Sequence, residues 1–218
     1  MRTKSPSPPP IHTIGHSNHP MGRFLELLRG AGIAVLADVR SVPHSRRWPQ
    51  FRRRDLAAAL ADAGIDYAYF GEALGGRPAD PGCYRDGRVD YDLVAQTPAF
   101  RAGLDRLIAL VADRPACILC AEKEPLDCHR TLLVARRLAE RGIPVRHILA
   151  DGRIEDHDEI ERRLLAAAGR AAPDLFDAAP GQAGDAALAR AYALRADRIG
   201  FAGRKGRGAR KGHDETPP

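Results

Sequence analysis

From residue 11 onward the chain alternates two hydrophobic patterns. Short apolar β-like runs occupy 11–15, 33–39, 65–70, 116–121 and 145–149 and predict strands. The run 33–39 is nearly all apolar, as expected of a sheet covered on both faces. Between the runs apolar residues recur every three or four positions, which predicts helices. The first covers about 20–31, where Phe24, Leu27, Leu28 and Ala31 share one face and Pro20 suits a first turn. A second covers 55–63 and ends at Gly64. A third starts at Thr97-Pro98, an N-cap followed by proline, with Leu104, Leu107, Ile108 and Val111 on its buried face. A fourth spans 129–140 and stops at Gly142 with Pro144 beyond, and a fifth spans 155–168.

This order predicts an α/β fold of three layers, a mostly parallel β-sheet with helices on both faces, in one Rossmann-like domain. The domain is expected over 11–168. Residues 1–10 read as a disordered Pro/Ser leader, and 71–96, rich in Gly, Pro and Asp, as an excursion above the sheet. Residues 169–203 read as a helical appendage with its helix at about 185–198, and 204–218 as a disordered basic tail.

Composition narrows the function classes. No apolar run approaches the roughly 18 residues that span a bilayer, so no membrane partner is expected. Four cysteines in 218 residues are too sparse for a disulfide scaffold, and the expected setting is a reducing cytoplasm. The net charge of +6 suggests a polyanion until its location is considered. The stretch 11–203 holds 27 basic and 26 acidic residues, so the excess lies in the two ends.

Ligands of open parallel sheets bind beyond the carboxyl ends of the strands. Those ends are here unusually rich in reactive side chains. The first leads into Gly15-His16-Ser17, and the second into Asp38-Val39-Arg40-Ser41-Val42-Pro43-His44-Ser45. The third leads toward Leu74-Gly75-Gly76, the fourth into Cys120-Ala121-Glu122 and on to Cys128-His129-Arg130, and the fifth runs into His147 and Asp151. His16, Asp38, Glu122, Cys128 and His129 are the candidate catalytic groups. A cysteine at a helix start beside His129 and Arg130 is expected to have a lowered pKa, and the same free N–H groups suit a phosphate. Loop 40–54 carries six arginines with His44, Trp48 and Phe51. Ser17, Arg40, Ser45, Arg46, Arg47, Gly75, Gly76 and Arg130 are therefore the candidate substrate-binding residues, with Trp48 placed to stack on a base.

Cys117-x2-Cys120-x7-Cys128-His129 also resembles a ligand set for zinc. Cys117 and Cys120 lie in one strand at odd separation, however, so they face opposite sides of the sheet and cannot form a knuckle. A mixed site from His16, Cys120, Glu122, Cys128 and His129 is the arrangement that remains. No metal and no cofactor is assigned from the sequence.

Thr13-Ile14-Gly15-His16-Ser17, Asp38-Val39-Arg40-Ser41-x-Pro43-x-Ser45, Phe51, Leu74-Gly75-Gly76, Thr97-Pro98-x-Phe100 and Cys120-Ala121-Glu122…Cys128-His129-Arg130 together resemble the DUF488 family, over about 11–150. The resemblance implies the same rim of residues but no reaction, because the family is named for its unknown function. Asp38-Val39-Arg40 after a strand is also similar to rhodanese-type domains, which would imply sulfur transfer. The loop 120–128 departs from that pattern through Glu122, Glu124 and Asp127.

The leading expectation is an enzyme acting on a phosphate-bearing small molecule or nucleotide. The alternatives are a nucleic-acid-associated module, serving repair or modification through loop 40–54 and the basic tail, and a sulfurtransferase.

Overall fold

The computed structural model describes residues 9–171 and 183–203. The leader up to residue 8 and the basic tail 204–218 lie outside the described residues.

Six strands form one sheet: β1 (Ile11–Gly15), β2 (Val35–Asp38), β3 (Asp66–Tyr69), β6 (Ala116–Cys120), β7 (Val145–Ile148) and β8 (Ile154–Asp156). Their order is β3-β2-β6-β1-β7-β8, parallel throughout except for β8, which runs antiparallel to β7 at the edge. The all-buried runs VLAD and ACILC are the strands β2 and β6 that flank one another at the sheet centre, as two-sided burial requires. The expected three-layer α/β architecture is the one observed.

Side-chain alternation divides the core in two. Val35 and Ala37 of β2 and Ile118 of β6 point to one face; Leu36, Cys117 and Leu119 point to the other. On the second face pack α1 (Met21–Gly30) through Phe24, Leu27 and Leu28, and α2 (Arg53–Asp62) through Leu56 and Leu60, with Phe51 between them. The first face is covered by α5 (Pro98–Asp113), by α6 (130–139) and by α7 (His157–Ala171). Thr97 caps α5, its hydroxyl accepting the Phe100 N–H at 3.2 Å.

Two features were not expected. The excursion contains structure of its own: a one-turn helix α3 (Gly71–Leu74), a hairpin of β4 (Tyr84–Arg85) and β5 (Arg88–Val89), and α4 (Tyr91–Gln96). The hairpin turns at Asp86 and Gly87, both at positive φ (48° and 77°), the Asp-Gly signature of a tight β-turn. The helical segment beyond 169 appears as α8 (Ala183–Ile199), and it is seated in the core. Ala191 and Tyr192 are buried against the first face, and Arg195 donates to the Leu126 carbonyl at 3.0 Å. Val89 then bonds the Phe201 carbonyl at 3.0 Å, which fixes the chain as it leaves α8. Among the described residues no helix is long and apolar enough to cross a membrane.

Candidate functional site

The loops after β1, β2 and β6 meet because those three strands are neighbours in the sheet. Pairing continues past the strand ends, with His16 N–H bonded to the Cys120 carbonyl and Ser17 N–H to the Ala121 carbonyl, each at 2.9 Å. Ser17 takes φ 47°, a left-handed conformation unusual for a side-chain-bearing residue and frequent at functional loops. Gly15 is required beneath it, because a Cβ there would lie 1.8 Å from the Glu122 carbonyl oxygen.

These loops enclose a cleft of about 630 Å3. His16, Ser17, Ser45, Arg47, Trp48 and Lys123 line it, with Arg40, His44 and Glu122 on the side shared with a second cavity of about 300 Å3. The second cavity is closed by Gly76, Arg77 and Tyr91 from the excursion and by Ile199 and Phe201 from the end of α8. None of Arg77, Tyr91, Ile199 or Phe201 was legible as a site residue, since each reaches the rim only through packing of a distant segment.

The predicted residues separate into three groups. Asp38 and Arg40 are on the rim but are committed to each other. Arg40 donates to both Asp38 oxygens, from Nε at 2.9 Å and Nη2 at 2.6 Å, and from Nη1 to the Phe51 carbonyl at 2.9 Å. Tyr67 O–H occupies the same carboxylate at 2.8 Å. Both charges are buried, so the pair holds the β2 loop in place. Arg130 is likewise internal: it is fully buried and donates to the Glu122 and Lys123 carbonyls, bracing the β6 loop from below.

The loop 40–54 does not form a six-arginine clamp. Arg52 is bonded to the Ser45 carbonyl, Arg53 lies over the Tyr69 ring at 4.4 Å, and Arg46 and Arg54 are exposed and line neither cavity. Arg47 alone of these five faces the large cleft, beside Trp48. Ser45 accepts the Trp48 N–H at 2.9 Å and so fixes the indole's backbone.

The third group is a knot of sulfur, carboxylate and imidazole at the end of β6. Glu122 reaches in from the exposed rim, and its Oε2 accepts from the thiols of Cys120 at 3.0 Å and Cys128 at 2.9 Å. His129 Nδ1 lies 3.4 Å from the Cys120 sulfur, and its Nε2 lies 3.1 Å from the Val39 carbonyl. Gly75 packs against Ser41, and Gly76 packs on the His129 ring of this knot while lining the second cavity. A Cβ at Gly75 would meet Ser41 Oγ at 2.2 Å, and one at Gly76 would meet the His129 ring at 2.7 Å.

The geometry reverses one expectation. Cys128 does not have an activated thiol: burial pushes it well above its ordinary value, and the nearby Cys120 adds to that rise. At the helix start the N–H groups of Thr131 and Leu132 are donated to the Cys128 carbonyl and that of Arg130 to its sulfur, so these three are not free for a phosphate. From Arg130 to Ala135 the helix then continues in wide i→i+5 turns. Burial would raise Glu122, but the two thiol hydrogen bonds, together with its own backbone N–H and the nearby His129, bring the carboxyl down to about 2. Burial also governs His16, pushing it down to about 4, so the ring is neutral at pH 7. It stacks on Phe51 at 4.3 Å and gives its Nδ1–H to the Ser17 carbonyl at 2.9 Å. Its Nε2 has no protein partner among the described residues. His147, read from the sequence as part of the rim, is fully buried inside the sheet and takes no part in the cleft.

A doubly covered, mostly parallel sheet with its polar cleft at the strand carboxyl ends defines an α/β protein of the open-sheet class. Residues 20–137 match the family model described as domain of unknown function DUF488, and the chain belongs to that family. The match takes in the loops after β2 and β6 and the excursion, and it begins four residues after His16. No curated protein and no solved structure matches the chain.

Proposed function

We propose that this DUF488 protein is an enzyme acting on a phosphorylated or nucleotide-like substrate held in the 630 Å3 cleft. One observation carries the reading: three strand-end loops bring Arg47, Lys123, an aromatic face (Trp48) and a neutral histidine (His16) to one cavity. Arg47 and Lys123 supply the countercharge, and the Ser45 hydroxyl, whose oxygen accepts the Trp48 N–H, keeps its proton for an anion, whereas that of Ser17 is donated to Asn18 Oδ1 at 3.1 Å. Trp48 suits a flat ring. His16 is the general base, since its Nδ1–H is tied to Ser17 and only Nε2 is left to take a proton. Asp38, held by Arg40 and Tyr67, is a positioning residue in this scheme. Dispersal of the loop arginines favours one phosphate over an extended strand, and the raised Cys128 thiol disfavours a sulfur-transfer nucleophile.

Trp48 is the only tryptophan, so its fluorescence reports directly on the cleft. Titration with inorganic phosphate and with a nucleoside monophosphate is expected to change that signal. Arg47→Ala with Lys123→Ala should weaken the response at least about tenfold. His16→Gln should leave binding in place and abolish turnover. A signal that ignores both anions at millimolar concentration would overturn the reading. A response that needs a polynucleotide and collapses with salt would indicate nucleic acid as the partner.

A further inference from the structure

We propose that Cys120, Cys128, His129 and Glu122 form a binding site for one zinc-class divalent cation in the wall between the two cavities. The site goes beyond the anion-binding role of the cleft and does not depend on it.

The ligand atoms of these four residues all lie within 4.8 Å of one another. Zinc bonds of about 2.3 Å to sulfur and about 2.0–2.1 Å to nitrogen or oxygen space neighbouring tetrahedral ligands by about 3.5 Å. The Cys120 sulfur and His129 Nδ1 are already at 3.4 Å, while the two thiol–carboxylate pairs at 3.0 and 2.9 Å need only open by about half an ångström. The carbonyl of Val39 can only accept, so Nε2 carries the ring proton of neutral His129. That leaves the Nδ1 lone pair facing the sulfurs, the arrangement by which metal-binding histidines are commonly oriented.

The scaffold around the four groups is rigid. Cys120 ends a central strand, whereas Cys128 and His129 open a buried helix. The β6 loop between them is tied down by Arg130 through the Glu122 and Lys123 carbonyls. Gly76 removes the one side chain that would displace the His129 ring. Two thiolates and an imidazole select zinc over magnesium or calcium, which prefer all-oxygen shells. On binding, each S–H gives its proton to solvent as a sulfur–metal bond forms, and Glu122 exchanges two thiol hydrogen bonds for the ion. Glu122 lines both cavities, so the fourth position is the one that faces the cleft.

The test uses the full chain, kept reduced so that the neighbouring thiols do not form a disulfide. It is loaded with zinc or cobalt(II), desalted, and assayed for metal content and for the cobalt spectrum. One equivalent per chain is expected, with a thiolate-to-cobalt charge-transfer band and the intense ligand-field bands of tetrahedral cobalt. Cys120→Ser and Cys128→Ser should each lower affinity about a hundredfold, and His129→Gln at least about tenfold. Glu122→Gln sits at the exposed rim, so its fold should persist. It should keep the charge-transfer band and bind about tenfold more weakly. Cys83→Ser, which removes the buried thiol of the excursion and none of the four ligands, should retain a full equivalent. Absence of retained metal and of any charge-transfer band in the reduced wild-type chain would overturn the proposal, and that measurement does not depend on whether a variant folds. So would a cobalt spectrum that survives loss of both Cys120 and Cys128.

Discussion

His147 Nε2 and His157 Nδ1 face each other at 3.0 Å in the interior, and the hydrogen bonds on either side fix which nitrogen donates. Tyr192 O–H donates to the Glu161 carboxylate at 2.8 Å, so its oxygen accepts from His157 Nε2 at 3.1 Å. His157 Nδ1 must then accept from His147 Nε2, and His147 Nδ1 from the Thr13 hydroxyl at 2.9 Å. Every donor from β1 to α8 has one acceptor in this chain, in which both rings are neutral. Protonating His157 sets its Nδ1–H against the His147 Nε2–H.

Burial pushes His157 down to about 4 and, with His157 beside it, pushes His147 well below its ordinary value. Both rings charge near pH 6.5 in the unfolded chain. Between about pH 6.5 and 4 the unfolded state therefore binds more protons. Stability supplied by the pair is complete above that window and is lost as the pH falls, at about 1.4 kcal/mol per pH unit for each ring. Urea unfolding at pH 7 and pH 5 should show a smaller difference for His157→Phe than for wild type. Equal differences would mean that His157 is not held neutral.

The buried pair Asp38–Arg40 leads to a second expectation. Asp38→Asn leaves a guanidinium inside the protein without its counter-charge and should cost about 3–5 kcal/mol. Replacing the pair together by Leu and Met should recover much of that loss, because no buried charge then remains. Chemical denaturation of the single and paired variants decides the matter. A single variant as stable as wild type would show that the pair is not the strut of the β2 loop.

Glycine substitutions separate contact from propensity. Gly15→Ala drives a methyl group into the Glu122 backbone, which no side-chain rotation can relieve, and should destabilise by on the order of 3 kcal/mol. Gly22 lies in α1 with open space around its missing Cβ, so Gly22→Ala should stabilise by up to about 1 kcal/mol. Opposite shifts in thermal midpoint are expected from two formally identical changes.

Tyr192 tests whether α8 belongs to the domain. Its ring is buried and its hydroxyl ends the histidine chain, so Tyr192→Ala should cost about 3–5 kcal/mol in one cooperative transition. Unfolding unchanged by the substitution would make α8 an independent attachment.

The sequence by itself determined the sheet and the rim. β2 and β6 were visible because strands covered on both faces are largely apolar along their length, β1 and β7 as short runs with apolar ends between helical patterns, and α1 and α5 because their apolar positions follow the helical repeat. β8 was not visible: Ile154-Glu155-Asp156 is a short acidic edge strand whose identity comes only from pairing with β7. The Asp86-Gly87 turn did carry a local signal, but the two-residue strands around it are too short to show alternation. The strand-end rule found His16, Arg40, Glu122, Cys128 and His129, since it needs only topology.

What each of those side chains does was decided by the tertiary structure alone. Whether an arginine is a clamp or a strut depends on partners distant in sequence, such as the Phe51 carbonyl for Arg40. A thiol's pKa follows its burial and its neighbours, and here they raise Cys128 where a bare helix start would have lowered it. Cys120, Cys128 and His129 face Glu122 because a β-strand and a wide-turned helix converge on one point. Periodicity fixes which face a residue takes; only packing fixes what it meets there.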